Sequence, residues 1–264
     1  MQIHWLASFP KSGNTWVRFL LYQYLYGDLT DTILLGRRIP DIHAGDFPRA
    51  ESGTKTLLVK THWGLSPRMP HVERTAGAIY IVRHPKDVML SMLNYYRLRE
   101  PKAPWTDEQF VRLYIRGGGD PGSVRNGFGS WEDNVMSWTS QRQFPLLLIR
   151  YEDLKADAGR TLRRMVEFLG EPVDDDRIGI AVAASTFERM RDLEAREKAA
   201  NHSGNVFIGG KAELDRGLMF MSKGRSGQTL ASIGPTLDRE FDERFASAAW
   251  LMGYTPPPAG TTGR

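Results

Sequence analysis

A run of small and polar residues near the N-terminus has the composition of a phosphate-binding loop. Residues 8–16 read Ser-Phe-Pro-Lys-Ser-Gly-Asn-Thr-Trp, and they follow a short apolar run at residues 3–7. An amphipathic run comes directly after them. A strand, a loop of small residues and a helix in this order point several backbone N–H groups and a helix N-terminus at one place. Lys11 adds a mobile cation and Ser12 and Thr15 add hydroxyl donors, so we predict that this loop binds a phosphate.

The loop lacks the strict P-loop pattern, because its lysine precedes its only glycine. Taken alone, it could equally be an ordinary turn between a strand and a helix. A second basic element favours the phosphate interpretation: an apolar run at residues 78–82 ends at Arg83, and a helical run containing Ser91 follows. Arg83 thus comes at the carboxyl end of a strand, where open α/β sheets bind ligands. Two such units predict a ligand with more than one phosphate.

These segments resemble the donor-binding motifs of the cytosolic-type sulfotransferases, which use 3′-phosphoadenosine 5′-phosphosulfate (PAPS). Residues 10–16 look like that family's 5′-phosphosulfate loop, and residues 83–88 with Ser91 look like its 3′-phosphate motif. Further similar segments flank the adenine (residues 150–154 and 185–190) or close on the 3′-phosphate (residues 220–227). The matches run in family order from residue 5 to about residue 254. They are nearest to bacterial sulfotransferases that tailor natural products such as glycopeptide antibiotics.

The resemblance implies a set of donor-binding residues spread over the whole chain. They are Ser12, Gly13, Asn14, Thr15, Trp16, Arg83, Ser91, Tyr151, Ser185, Phe187, Lys223, Gly224 and Arg225. Trp16 is implied to stack on the adenine, although its helical spacing also suits a place in the core.

The late glycine-rich loop departs from the family pattern. Ser222 stands where an arginine is expected, and Gln228 and Thr229 replace an Asp-Trp pair. We therefore expect the 3′-phosphate to depend more on Arg83, together with Lys223 and Arg225 in that loop.

A predicted strand at residues 56–63 ends in Lys60, Thr61 and His62 before Trp63. This end resembles the family's Lys-Thr-His segment, which reaches the sulfuryl-transfer site. A lone histidine at a strand end is usually structural, but here it follows a lysine at the expected crevice. The resemblance implies that His62 is the general base and that Lys11 stabilises the leaving group. Lys60 either assists catalysis or points into the flank of the sheet.

The acceptor side carries weaker signals. Residues 27–55 are rich in glycine and proline breakers, and long irregular stretches often form binding loops, so we assign them to the acceptor pocket. Residues 199–217 have no clear period and are expected to form a mobile lid. The aromatic residues between Tyr95 and Tyr114 form either an acceptor cap or core. We expect the acceptor to be a phenol or alcohol, for example on a secondary metabolite.

Composition and length bound the remaining possibilities. The chain has 264 residues, no cysteine and a formal charge of +4. The length favours a single α/β domain over residues 1–255, and a disordered tail is expected at 256–264. The strand–loop–helix units and the family resemblance imply a P-loop-like, mostly parallel sheet flanked by helices, with a mobile lid on the acceptor side. The sequence has no long apolar segment and no signal peptide, so we expect a cytoplasmic protein that does not bind membranes. Its basic residues are dispersed among acidic ones, so we expect no nucleic-acid binding. It has no cluster of His, Asp and Glu residues that would suggest a metal site. The oligomeric state stays open.

The periodicity of apolar residues places the elements that carry these motifs. Strands are predicted at residues 3–7, 56–63, 78–82 and 146–149, and helices at 17–26, 88–97, 131–138, 159–170 and 237–251. Ser130 is the predicted N-cap of the third helix, with Asp133 in its first turn. The last helix is predicted to pack through Phe241, Phe245, Ala248 and Trp250. The charged run at residues 191–198 is interpreted as a solvated helix face.

Two other functions fit part of this pattern. A P-loop kinase would bind ATP with Mg²⁺, but the Gly-Lys-Ser/Thr order and a strand-end aspartate for the metal are missing. A non-catalytic nucleotide-binding protein would keep Lys11, Arg83 and Ser91 but tolerate the loss of His62.

Overall fold

The computed structural model describes residues 1–45, 56–99, 105–202 and 206–254. Its strands are β1 (Gln2–Ser8), β2 (Thr56–Thr61), β3 (Thr75–Val82) and β4 (Leu146–Arg150). They form one sheet in the order β2-β1-β3-β4, and each neighbouring pair is parallel. The parallel sheet expected from the sequence is confirmed.

Helices connect the strands and cover both faces of the sheet. They are α1 (Asn14–Tyr26), α2 (Thr32–Arg38), α3 (Pro85–Arg99), α4 (Asp107–Gly117), α5 (Pro121–Arg125), α6 (Trp131–Thr139), α7 (Tyr151–Ala156), α8 (Ala158–Phe168), α9 (Asp175–Ala184), α10 (Phe187–Ala199), α11 (Lys211–Asp215) and α12 (Pro235–Leu251). None of these helices is long and apolar enough to cross a membrane.

The alternation of side chains along β1 divides the core in two. Trp5 packs on the face covered by α3, α4, α6 and α12, and Leu6 packs on the face covered by α1, α8, α9 and α10. Both faces are apolar because helices cover both sides of a parallel sheet. This packing holds the carboxyl ends of all four strands along one edge.

Several local predictions are confirmed. Helix α6 begins after Ser130, whose hydroxyl accepts a hydrogen bond from the backbone N–H of Asp133, as expected for this N-cap. Helices α1 and α3 begin three residues before the predicted positions, because the loop residues that precede the apolar periodicity are already helical.

Two predictions about helix faces are wrong. Trp250 is 61% exposed, because α12 buries Phe241, Phe245 and Ala248, and residue 250 lies outside that stripe. On α10, the charged run predicted to be solvated contains three buried charged side chains, Glu194, Glu197 and Lys198. Each of them has partners on other elements, which a helical wheel cannot show.

Three expectations lie partly or wholly outside the described residues. The tail at 256–264 is outside them, and so is part of the predicted acceptor region at 27–55. In the predicted lid, residues 211–215 form α11, while residues 203–205 are outside the described part.

Candidate active site

A large cleft of about 1490 Å³ lies along the carboxyl edge of the sheet. The loop after β1, the end of β2, the loop after β3 and the start of α7 after β4 all open into it. Of the residues predicted for the site, the cleft is lined by Lys11, Gly13, Asn14, Thr15, Trp16, Lys60, His62, Arg83, Ser91, Tyr151, Ser185, Phe187, Lys223, Gly224 and Arg225. Ser12 lies just beneath the surface, with its hydroxyl buried. The fold therefore brings all the predicted site residues to one place.

The loop after β1 is tightly built. Gly13 adopts a φ of 103°, which favours glycine, and a Cβ at this position would lie 2.6 Å from the Tyr151 ring. The buried amide of Asn14 donates to the carbonyl oxygen of Leu6 at 2.9 Å and lies 3.3 Å from the hydroxyl of Ser8. The side-chain nitrogen of Asn14 thus braces the loop against β1.

Arg83 connects three segments of the cleft. Its guanidinium donates to the carbonyl oxygen of Lys11 at 3.1 Å and to that of Arg225 at 2.6 Å, and its Cζ lies 4.3 Å from the centre of the Tyr151 ring. Because the side chain is buried, these contacts fix the two basic loops relative to β4. Residues 11, 83, 151 and 225 lie far apart along the sequence, so only the fold reveals that Arg83 connects these segments.

The late glycine-rich loop is held from the start of α3. The Asp87 carboxylate accepts hydrogen bonds from the backbone N–H groups of Gly227 and Gln228, and also from the Gln228 side chain at 3.0 Å. Gln228, one of the departures from the family pattern, thus has a defined anchoring role. Gly224 adopts a φ of 57°, and a Cβ there would lie 3.1 Å from the Phe187 ring.

Several buried polar atoms in this region have no hydrogen-bond partner within the described residues. They include Ser12 Oγ, Trp16 Nε1, Arg83 Nε and Ser185 Oγ. Burying such groups unpaired is costly, so atoms of this kind in a cleft are suited to a polar ligand. Hydroxyl, guanidinium and indole N–H groups match the phosphates and heterocycle of a PAPS-like donor. The residues present therefore fit that molecule.

His62 is held from three sides. Its Nδ1 lies 2.8 Å from the carbonyl oxygen of Ser8, its backbone N–H donates to His43 Nε2 at 2.8 Å, and its carbonyl oxygen accepts from the amide of Asn134 at 2.9 Å. Burial, followed by the positive charge of Lys60, holds the pKa of His62 well below its usual value. The ring is therefore neutral at neutral pH.

Lys60 forms a buried ion pair with Asp41. Its Nζ lies 2.7 Å from Asp41 Oδ2, and the segment around Asp41 pairs with β2, since Lys60 N–H donates to Pro40 at 2.8 Å. Burial lowers the pKa of Lys60 to about 8, although the negative charge of Asp41 acts to raise it. Burial alone would raise the Asp41 pKa, but Lys60 and His62 lower it to about 2. Lys60 lines the cleft, but its ammonium is directed to Asp41.

Lys11 contacts aromatic rings in the cleft. Its Nζ lies 3.7 Å from the centre of the Phe220 ring and 4.8 Å from that of Tyr95. Burial and the neighbouring charge of Arg83 lower its pKa to about 7. The backbone of Lys11 has a φ of 68°, an uncommon value for a residue with a side chain.

Sequence reasoning missed Asp41 and His43 as individual site residues. They lie in the stretch assigned as a whole to the acceptor pocket, and no local motif marks them. The His43 ring is stacked with that of His62 at a centroid distance of 5.9 Å and contacts the rings of Trp63 and Phe128. Burial, and to a lesser extent the positive charge of Lys60, lowers the pKa of His43 to about 4.

Of the aromatic residues between Tyr95 and Tyr114, which were expected to form either an acceptor cap or core, some lie in the core and one lines the cleft. Phe110 and Tyr114 are buried in the core. Tyr95 lines the cleft. Tyr96 stacks on Trp105 at 5.4 Å.

The sulfotransferase-domain family model matches residues 3–253. The chain belongs to the sulfotransferase family. This membership confirms the prediction of a PAPS-dependent sulfotransferase, whereas a special nearness to bacterial natural-product enzymes stays a prediction.

Curated relatives of this sulfotransferase include animal enzymes. Mouse sulfotransferase 1A1 is 26% identical over 267 residues, which cover 95% of this chain and 85% of the relative. Human sulfotransferase 2B1 is 29% identical over 203 residues, covering 70% of this chain and 51% of the relative.

Solved structures share its fold. Mouse sulfotransferase SULT7A1, crystallised with PAP (adenosine 3′,5′-bisphosphate), has a TM-score of 0.61 and 26% identity, covering 94% of this chain and 84% of that one. Retinol dehydratase in complex with androsterone and the inactive cofactor PAP has a TM-score of 0.64. It is 17% identical, covers 100% of this chain and 83% of that one, and supports the fold alone.

Proposed function

We propose that this sulfotransferase moves a sulfuryl group from PAPS to a hydroxyl of a small-molecule acceptor, with His62 as general base. The observation that supports this proposal is the meeting of a neutral, oriented imidazole with the basic loops of Lys11 and Arg83 in one cleft. The proposed catalytic unit spans residues 1–255.

In the proposed reaction, the donor supplies the sulfuryl group and leaves as adenosine 3′,5′-bisphosphate. His62 Nε2 takes the proton of the acceptor hydroxyl as its oxygen forms the new bond to sulfur. Lys11 places positive charge where the bond from sulfur to the phosphate oxygen breaks. Lys60, which is paired with Asp41, is assigned no direct contact with the reacting groups.

The donor is proposed to lie across both basic loops. Backbone N–H groups of residues 12–15 and the start of α1 hold its 5′ end. The 3′-phosphate binds Arg83, Ser91 and the late glycine-rich loop with Lys223, Gly224 and Arg225. Adenine lies near Trp16, Tyr151, Ser185 and Phe187. In support of the last assignment, the Trp16 and Tyr151 rings form an edge-to-face pair at 6.0 Å.

The acceptor is proposed to be a phenol or alcohol. Beside His62, the cleft wall is aromatic, formed by His43, Trp63 and Phe128. Aromatic walls favour flat or apolar groups on the acceptor.

Calorimetry and a transfer assay test this function. We expect adenosine 3′,5′-bisphosphate to bind without Mg²⁺ and ATP with Mg²⁺ to bind far more weakly. We also expect label to pass from ³⁵S-PAPS to members of a panel of phenols, aliphatic alcohols and glycopeptides. Preference for ATP would favour a kinase. Tight binding of the bisphosphate without transfer to any panel member would favour a non-catalytic nucleotide-binding protein.

A further inference from the structure

Helix α10 carries an ion pair that the proposed reaction does not use. Glu194 and Lys198 lie one turn apart, their charged atoms are 2.7 Å apart, and both side chains are essentially inaccessible to solvent. Burying two charges is costly unless further hydrogen bonds satisfy both groups. A buried pair of this kind is therefore expected to make further hydrogen bonds to another segment of the chain.

Glu194 and Lys198 hold the segment 218–221. The two oxygens of Glu194 accept hydrogen bonds from the backbone N–H groups of Phe220 at 2.5 Å and Met221 at 2.8 Å, and Lys198 donates to the carbonyl oxygen of Leu218 at 2.9 Å. Side chains, rather than a neighbouring strand, thus satisfy the main chain of this segment.

The clamped segment presents the Phe220 ring to Lys11. The ammonium lies 3.7 Å from the centre of that ring, while Tyr95, in an edge-to-face pair with Phe220, contributes the second ring. Within the described residues, no carboxylate or carbonyl oxygen pairs with Lys11 Nζ. An ammonium held by ring faces keeps its N–H donors available, whereas a carboxylate partner would compete with an incoming anion.

We propose that Glu194 and Lys198 are positioning residues, which clamp the segment 218–221 so that Phe220 and Tyr95 form an aromatic cage for the Lys11 ammonium before the donor binds. The cage presents Lys11 to the cleft without an anionic partner to displace. This inference rests on the catalytic role proposed for Lys11, but the cage itself can be tested without any transfer assay.

The first test is a set of variants with a matched control. Phe220→Leu removes the cage ring, and Glu194→Gln removes the clamp. Glu197→Gln makes the same change at another buried position of α10, where the carboxylate binds the backbone N–H and hydroxyl of Thr32 instead. We expect the first two variants to lower kcat about tenfold, and Glu197→Gln to lower Tm while leaving kcat unchanged.

A double-mutant cycle separates positioning from general loosening of the fold. In a Lys11→Met background, Phe220→Leu and Glu194→Gln should have no further effect on kcat, because both act through Lys11. Additive losses, or an equal loss of kcat in Glu197→Gln, would overturn the proposal. If Glu194→Gln fails to fold, the cycle between Phe220 and Lys11 decides alone.

The second test does not depend on activity. The pH dependence of Lys11 labelling by an amine-reactive reagent, followed by mass spectrometry in the donor-free protein, reports its ionisation. Opening the cage admits water, so the midpoint should rise in Phe220→Leu and stay unchanged in Glu197→Gln. An unchanged midpoint in Phe220→Leu overturns the cage, whether or not the protein transfers sulfuryl groups. A shifted midpoint in a protein without transfer activity would keep the cage and reject the proposed function.

Discussion

The Nδ1 atom of His62 lies 2.8 Å from the carbonyl oxygen of Ser8. A carbonyl oxygen only accepts hydrogen bonds, so Nδ1 carries the proton and Nε2 keeps its lone pair. Strand β1, which leads into the phosphate loop, thus sets the tautomer of His62, the proposed base, which directly follows the neighbouring strand β2. Because burial holds the pKa of His62 well below its usual value, the ring is neutral at neutral pH and Nε2 is unprotonated.

Replacing His62 should remove the base while leaving the fold intact. We expect His62→Ala to lower kcat at least about a hundredfold, the usual contribution of a positioned base, with little change in affinity for adenosine 3′,5′-bisphosphate. His4→Gln is the control, because His4 lies towards the other end of β1, packed against Phe168. Steady-state kinetics of the two variants check this, and a His62→Ala enzyme within a few-fold of wild type would exclude His62 as the base.

His43 should be needed as a hydrogen-bond acceptor rather than as an ionisable group. Its Nε2 accepts the backbone N–H of His62, and the amide oxygen of glutamine can take that place. We expect His43→Leu to lower kcat about tenfold and His43→Gln to keep most of it. Similar kcat values for the two variants would show that the accepted hydrogen bond does not matter.

Lys11 and Arg83 should affect different steps. We expect Lys11→Ala mainly to lower turnover, with a smaller loss of donor affinity, because its ammonium is proposed to stabilise the leaving oxygen. Arg83→Ala should mainly weaken binding of adenosine 3′,5′-bisphosphate, about tenfold or more, because Arg83 also joins the two loops. Calorimetry and kinetics on both variants measure this, and equal changes in both quantities for each variant would refute the division.

Donor binding should be linked to proton uptake by Lys11. Its pKa is about 7 in the donor-free protein, owing to burial and to Arg83, and an anionic ligand raises it. The contribution of Lys11 to affinity is thus fully present below pH 7 and is lost as pH rises through the higher pKa of the complex. Calorimetry at about pH 8 in two buffers of different ionisation enthalpy should detect uptake, which Lys11→Met should abolish. Buffer-independent heats in the wild type would contradict this linkage.

The two glycines that flank α1 provide a matched pair. Gly13 and Gly27 both have positive φ, 103° and 89°, but only at Gly13 would a Cβ meet another residue, the Tyr151 ring at 2.6 Å. Each change to alanine should cost about 1 kcal/mol of backbone strain. Gly13→Ala should lower Tm further and weaken binding of adenosine 3′,5′-bisphosphate, because Tyr151 must move. Thermal melts and calorimetry compare the two, and equal effects would show that the close approach is unimportant.

The sequence by itself determined the four strands, five of the helices and the family. Lys11, Arg83 and Ser91 lie in strand–loop–helix units whose signals are local: apolar runs, breakers and helical spacing within about twenty residues. Because parallel strands end at one edge, these units predicted a shared anion site. The family motifs added the late loop, including Lys223 and Arg225, which no periodicity would have identified.

Tertiary structure alone decided how the side chains pair. Three interactions each join separate elements or loops. They are the Asp41–Lys60 ion pair, the His43–His62 contact and the clamp of Glu194 and Lys198 on the segment 218–221. From local spacing alone, the charged run on α10 is predicted to be solvated, because charged side chains are usually exposed to water. Burial becomes favourable only when the fold supplies partners for each group, and that supply depends on packing, which sequence periodicity does not record.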